Sequence, residues 1–258
     1  MRKLVRLLHW LLYGQMGISP GKILRVFHGL PRFFKDAVRF KKHYQGKIEW
    51  MPCLTDWYEE GGAALGEYFW QDLYVARKIF DAKPHRHIDI GSRVDGFVAH
   101  VASFREIEVF DIRPNTATVP GIVFRQADLM SLNDSLTGCC DSISCLHALE
   151  HFGLGRYGDP IDPLGYEAGL QNMAKLLSDG GVFYLSVPIG TVCVQFNAHR
   201  VFNPKELVKL AEKSGLILGG FAFVDQADAI TESIDPEKDL SLISRKNYAL
   251  GIFTFRKN

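Results

Sequence analysis

Arg86-His-Ile-Asp-Ile-Gly-Ser-Arg-Val-Asp-Gly-Phe-Val-Ala-His100, taken together with Ile107-Glu-Val-Phe-Asp111, decides the fold. A short apolar run carries Asp89 and breaks at Gly91. A stretch with helical spacing follows, and a second apolar run ends in Asp111, 22 residues after the first acid. The pattern is strand, turn, helix, strand, with a carboxylate at the carboxyl end of each strand. Ligands of open α/β sheets bind at that edge. An acid about 20 residues beyond a glycine turn suits the two hydroxyls of a ribose. The stretch therefore predicts a site for a small molecule that contains a nucleoside.

Outward from this unit, strand signals recur at 86–91, 106–111, 121–126, 141–146, 181–187, 217–224 and 248–255. Helical spacing falls at 68–80, 94–103, 165–177 and 203–213. Such alternation predicts a Rossmann-like, doubly wound α/β fold, with a mostly parallel sheet of about seven strands covered on both faces. The last strand follows an acid-rich loop (225–239) with no helix, so it is expected to insert antiparallel. Asp179-Gly-Gly181 reads as a glycine stop for the helix before it. Asn203-Pro-Lys-Glu206 reads as the capped start of the next helix. The expected division is a basic, largely helical extension over 1–83 and the α/β domain over 84–258.

The chain has 258 residues, 47% hydrophobic and 23% charged, which is ordinary for a globular protein. Its net charge of +1 hides an asymmetry: residues 1–50 carry eleven Lys/Arg against Asp36 and Glu49, and the rest carry 19 bases against 27 acids. Leu4, Leu7, Leu8, Leu11 and Leu12 form the stripe of an amphipathic helix, with Arg2, Lys3 and Arg6 among them. Two readings stay open for residues 1–14: a solvated helix that packs on the domain, or a peripheral contact with the inner face of a membrane. The apolar stripe argues against nucleic acid. Arg6 and His9 break the run that a signal peptide needs, and no 18-residue apolar stretch exists to span a bilayer. The five cysteines include no C-x-x-C, as expected of reduced thiols in a cytoplasmic chain.

Three nucleoside classes compete for the glycine turn. A P-loop would need Lys-Ser/Thr after Gly96, where Phe97-Val98 stand. A dinucleotide would need a second glycine where Arg93 stands, and Asp89 and Asp95 would face its phosphates. S-adenosylmethionine has no phosphate and a cationic end that acids favour. Asp89, Gly91, Ser92 and Arg93 are the candidates for its methionine part, and Asp111 with Ile112 for the ribose. Asp128 and Leu129, after the third strand, suit the adenine. Leu146 and His147, at the end of the fourth strand, would complete the wall.

His87-Ile-Asp-Ile-Gly-Ser-Arg-Val-Asp-Gly-Phe-Val, Glu108-Val-Phe-Asp-Ile-Arg-Pro, Ala127-Asp-Leu, Leu146-His-Ala-Leu-Glu-His-Phe-Gly-Leu-Gly-Arg-Tyr-Gly-Asp, Leu177-Ser-Asp-Gly-Gly and Phe196-Asn-Ala-His-Arg200 carry a resemblance over roughly residues 85–225. The chain resembles class I S-adenosylmethionine-dependent methyltransferases, and within them the uncharacterised bacterial family labelled domain of unknown function 268. The resemblance implies that fold, that cofactor and methyl transfer. Arg93 and Asp95 stand where the motif D-x-G-x-G-x-G has its second and third glycines. That departure motivates a second reading: a non-catalytic member that binds a ligand or partner in a membrane-associated glycan assembly.

His147-Ala-Leu-Glu-His151 also matches the zinc-protease string H-x-x-E-H. It follows an apolar strand and has no helix with a third ligand, which excludes that class. The resemblance places the string beside the transferred methyl. Some small-molecule O-methyltransferases use a similar Leu-Glu-His to hold a divalent ion, but acid–base work is the simpler role and no metal is expected. A hydroxyl must lose its proton to attack, and a histidine can accept it near neutrality. His151 is the first candidate base and His199 the second, with Glu150 beside them. Gly153-Leu-Gly-Arg-Tyr-Gly-Asp-Pro160 is a loop able to bend around a polar ligand, with Arg156 and Tyr157 as contacts. The expected reaction is O-methylation of a small or glycan-linked acceptor.

Overall fold

The structure is a computed structural model that describes residue 8 and residues 10–59, 66–132, 134–225 and 229–258. The chain forms two compact units, 1–63 and 64–258. The second unit begins at residue 64 rather than at the expected 84, because the helix over 67–82 belongs to its core.

In the first unit a helix-like turn (Trp10–Gln15) precedes α1 (Pro20–Lys41). Ser19 caps α1 by accepting from the Lys22 N–H at 3.3 Å, and Pro20 takes the first helical position, where no N–H is needed. Gly29 and Pro31 lie inside α1. A Cβ at Gly29 would come within 2.4 Å of the Leu54 carbonyl oxygen, so the bare glycine lets the following segment pack on the helix. Arg32 stacks 3.3 Å above the Trp57 ring. Leu4 and Leu7 of the amphipathic stripe, with Arg2, Lys3 and Arg6, lie outside the described residues.

The second unit opens with α2 (Glu67–Ala82) and β1 (His87–Ile90). A helical turn (Val94–Val98) runs into α3 (Ala99–Ala102), followed by β2 (Ile107–Asp111), β3 (Ile122–Gln126) and β4 (Cys140–Leu146). Next come α4 (Gly165–Leu176), β5 (Leu177–Ile189) and a hairpin of β6 (Cys193–Gln195) and β7 (His199–Val201). The chain ends with α5 (Pro204–Lys213), β8 (Leu216–Val224), β9 (Ile230–Glu232), α6 (Pro236–Ile243) and β10 (Ala249–Lys257).

The main sheet has eight strands in the order β3-β2-β1-β4-β5-β10-β8-β9. β1 to β5 run parallel, and β10 inserts antiparallel between β5 and β8, the direction expected, although α6 stands before it where no helix was expected. Chain order reverses between β1 and β4, which opens a crevice at their carboxyl ends. One face packs Ile88, Ile143, Phe183, Phe253 and Phe255 against α4, α5 and α6. The other packs Val109, Leu250 and Ile252 with Val75 and Ile79 of α2 and with Phe97 and Val101.

Two local expectations need correcting. The acid-rich segment before β10 holds α6, with Asp235 accepting from the Lys238 N–H at 3.2 Å and Pro236 at the first position. The helix over 165–176 does not stop on its glycines: Leu177 is already extended at ψ 138°, and Gly180, at φ +75°, lies within β5.

Phe253 is fully buried in β10 against Phe221 and Phe255, with ring centroids 5.0 and 5.8 Å away. Phe253→Ala should destabilise the sheet unit by about 3–5 kcal/mol, read as a shift in the midpoint of urea unfolding.

Candidate functional site at the switch point

The chain leaves β1 through Gly91, whose φ of +67° needs no Cβ and whose added Cβ would sit 3.2 Å from that of Ala148. The parallel register sets His87 opposite Ser142 and Asp89 opposite Ser144, so four polar side chains meet inside the sheet unit. Asp89 has no solvent exposure. Its carboxylate accepts from the Ser92 N–H (3.0 Å), the Ser92 hydroxyl (2.7 Å) and the Ser144 hydroxyl (2.6 Å). Ser144 in turn meets His87 Nε2 at 3.1 Å, and Ser142 meets Nδ1 at 2.8 Å. Burial pushes the Asp89 carboxyl up to about 6 and the His87 imidazole down to about 3. The network is saturated within the protein, so Asp89 pins the turn from beneath and does not reach the cleft wall.

A cavity of about 580 Å³ opens at the carboxyl edge of the strands. A narrower crevice of about 60 Å³ adjoins it between Ile90, Phe110, Ile112, Leu129 and Met130. Gly91, Asp111, Arg113, His147, His151 and Tyr157 line both. Ser92, Arg93 and Leu146 face the larger space, and Asp128 the crevice. Asp111 sits at the junction and accepts from Arg113 through its backbone N–H (2.8 Å), Nε (3.0 Å) and Nη2 (2.7 Å). The Arg113 guanidinium also lies 4.4 Å from the centre of the Tyr157 ring. Asp128 accepts from the Met130 N–H at 2.9 Å. Arg93 and Asp95 pair with each other at 2.9 Å on the exposed rim.

The floor of the larger cavity is the end of β4. His147 holds φ +53°, a left-handed conformation unusual outside glycine. Its Nδ1 donates to Glu150 Oε1 at 2.8 Å, its Nε2 lies 3.5 Å from Glu67 Oε1, and Tyr68 tilts over the ring at 4.6 Å. Burial opposes charge on both partners. The hydrogen bond and opposite charge outweigh it, raising His147 and holding Glu150 below the usual carboxylate value. Both shifts favour the proton on His147 and the charge on Glu150, as does Glu67 on the far side of the ring. Tyr248 donates to Glu67 at 2.8 Å, and burial with the nearby acids raises its phenol. Burial and the charges of Glu150 and Glu67 push Tyr68 up to about 12.

His151 and His199 behave differently. His151 Nδ1 lies 2.7 Å from the Ala198 carbonyl, which can only accept, so Nδ1 carries the proton and Nε2 keeps its lone pair. Nε2 is 3.8 Å from Glu150 Oε1. Burial lowers the pKa of His151 and of His199, so both rings are neutral at pH 7. The loop that carries His151 is fastened by the buried Arg200. Its guanidinium donates to the carbonyls of Phe152 (2.5 Å) and Pro163 (3.2 Å). Gly153, at φ +76°, lets the loop close: a Cβ there would lie 1.9 Å from the Asp162 carbonyl oxygen.

All the residues expected at the site meet at this edge except Asp89, whose carboxylate is spent beneath it. Glu67, Tyr68, Arg113 and Tyr248 were not expected. Arg113 had a signal, two residues after Asp111. The others had none, since Tyr248 meets Glu67 across 181 residues of chain. Among the described residues, no group of three His, Cys, Asp or Glu side chains is arranged to hold a metal ion. All five cysteines are free.

The fold is similar to that of solved methyltransferases. The chain is similar to the 1,6-didemethyltoxoflavin-N1-methyltransferase of Burkholderia thailandensis, solved with 1,6-didemethyltoxoflavin and S-adenosylhomocysteine. Identity is 14%, covering 93% of this chain and 91% of that one, with a TM-score of 0.52. It is also similar to the YcgJ protein of Bacillus subtilis (12% identity, 73% and 98% covered, TM-score 0.50). Residues 123–250 match the model of a family described as Caenorhabditis protein of unknown function, DUF268, which is the family the sequence resembles; the description names Caenorhabditis and not bacteria. No curated protein matches the chain.

Because the Asp89 pKa is raised in the fold, its contribution favours folding at low pH and is lost as pH rises through about 6. Asp89→Asn should therefore gain on the wild type between pH 4 and 6.5 by up to about 3 kcal/mol, compared by urea unfolding across that range. Gly153→Ala should cost about 2 kcal/mol or more, seen as a fall in Tm.

Proposed function

We propose that this chain is an S-adenosylmethionine-dependent methyltransferase that acts on a hydroxyl of a small or glycan-linked acceptor. The observation that carries the reading is the pair of adjoining cavities at the switch point, with Asp111 at their junction. The residues present fit the cofactor. The bare Gly91 turn leaves room beside Ser92. The crevice is lined by Ile90, Phe110, Ile112 and Leu129, with Asp128 beside them. The site has neither the P-loop lysine nor the second glycine that phosphates need.

Asp111 would hold the ribose hydroxyls once Arg113 turns off it, and Asp128 would accept from the adenine amino group. Gly91, Ser92 and Arg93 would border the methionine part, with Leu146 and His147 behind it. The cofactor supplies a methyl group on a cationic sulfur. The acidic floor of Glu67 and Glu150 favours that charge. His151 Nε2, unprotonated at neutral pH, takes the proton of the acceptor hydroxyl. Glu150, 3.8 Å away, stabilises the imidazolium that results. His199, on β7 in the same cavity, is the second candidate for the proton. A positioned base is worth about 10² to 10⁴ in rate. The basic, apolar sequence of residues 1–14 supports a cytoplasmic chain that touches the inner membrane face at its periphery; among the described residues no helix is long and apolar enough to cross a membrane.

A second reading draws on two observations: the Arg93–Asp95 pair replaces two motif glycines, and Arg113 occupies Asp111. Both favour a non-catalytic binding protein. Calorimetry with S-adenosylmethionine and S-adenosylhomocysteine separates the two, since the methyltransferase reading fails if neither binds at millimolar concentration.

Asp111→Ala should weaken binding of either compound by about 1–3 kcal/mol; unchanged affinity would move the ribose elsewhere. With an acceptor found by transfer of a labelled methyl group, kcat should fall on an acid limb centred below the free-histidine value of about 6.5, because protonating His151 removes the base. His151→Gln should lower kcat by about 10² to 10⁴ and abolish that limb. A limb that persists would assign the proton to another group.

A further inference from the structure

Three buried polar atoms of the larger cavity have no hydrogen-bond partner among the described residues: Glu150 Oε2, His147 Nε2 and His199 Nε2. Glu150 is 1% exposed and the His147 side chain 6%, so water does not satisfy them by default. The first is a bare acceptor, the second faces Glu67 Oε1 at 3.5 Å without a hydrogen bond, and both belong to one pair, joined at 2.8 Å through the other atoms of the two side chains.

The chemistry of a matching ligand follows. A phosphate or carboxylate has no proton to give Glu150 Oε2 and adds negative charge beside Glu67 and Glu150. An ammonium can donate to Oε2 but cannot accept from His147 Nε2, and it meets the imidazolium. A hydroxyl does both, donating to the carboxylate and accepting from the ring. This position neighbours the lone pair of His151 Nε2, which lies 3.8 Å from the other oxygen of the same Glu150. A group read by the pair and a group deprotonated by His151 therefore stand side by side on the acceptor.

We propose that Glu150 and His147 read a second hydroxyl adjacent to the reacting one, so that the acceptor is an uncharged vicinal diol of the sugar or polyol class. The assignment rests on the methyltransferase reading of the cavity and narrows its substrate. Glu150 and His147 are then specificity-determining residues, and the proton of the reacting hydroxyl goes to His151.

The test is ligand-observed NMR and calorimetry on the full chain, with and without saturating S-adenosylhomocysteine. The probes are methyl α-D-mannopyranoside and myo-inositol as diols, ethanolamine as a cation and inorganic phosphate as an anion. The diols should bind and the two charged probes should not. Glu150→Gln should weaken diol binding at least tenfold more than it weakens S-adenosylhomocysteine binding. His147→Asn, chosen because asparagine tolerates positive φ, should also weaken diol binding, with folding checked by thermal unfolding. Binding of ethanolamine or phosphate in preference to the diols overturns the proposal. So does a folded Glu150→Gln that keeps the wild-type diol affinity, or wild type that takes S-adenosylhomocysteine but no diol. A chain that fails to bind S-adenosylhomocysteine yet takes the diols overturns the methyltransferase reading and leaves the diol assignment standing.

Discussion

The buried carboxylate of Asp89 is the constraint on which the site depends. A desolvated charge is tolerated only where hydrogen bonds surround it. Here two serines from different segments provide them: Ser92 from the turn after β1, and Ser144 from β4. One side chain thereby fixes the Gly91 turn to the neighbouring strand across the line where chain order reverses. His87 continues the network to Ser142, so no member is left unpaired. Of this network only Ser92 lines the cleft above it; Asp89, Ser144, His87 and Ser142 support it from beneath.

Topology then determines which groups reach the cleft. The parallel strands deliver Gly91, Asp111 and His147 at their carboxyl ends. β10 runs the other way, so Tyr248, just before its first residue, arrives at the same edge. α2 starts there with Glu67 and Tyr68. The small β6–β7 hairpin brings Ala198 and His199 over β4, where the Ala198 carbonyl sets the tautomer of His151. Arg200, one residue on, ties down the loop after β4. The hairpin thus lines the cavity with His199 and fixes the ring of His151.

The electrostatics divide the three histidines into two kinds. His147 faces Glu150 and Glu67, which raise its pKa, while burial lowers the pKa of His151 and His199 and keeps them neutral. A single carboxylate, Glu150, serves both kinds at different distances, 2.8 Å to His147 and 3.8 Å to His151. This split is a property of geometry. The string His147-Ala-Leu-Glu-His151 is symmetric in composition and says nothing of which ring is charged.

The alternation of apolar periods located β1 to β4 within one residue at each end, whereas β5 begins at Leu177, four residues before its expected start, and β10 is antiparallel as expected although α6 precedes it. The acids after β2 and β3 were legible too, because residues at strand tips must emerge at one edge whatever the packing. The amino-acid order also excluded phosphate-binding classes, since the glycines and lysine that cradle phosphates are absent. Asp89 was misplaced for a physical reason: an acid near a strand end looks the same whether its side chain turns to the cleft or to serines on the next strand. Only the β1–β4 register decides that. α6 was missed because its short apolar face is visible only where Leu240 and Ile243 meet the core. Glu67, Tyr68 and Tyr248 have no local pattern at all. They are neighbours because sheet order and strand direction bring distant segments to one edge, and such long-range contacts leave no mark on the periodicity of any single stretch.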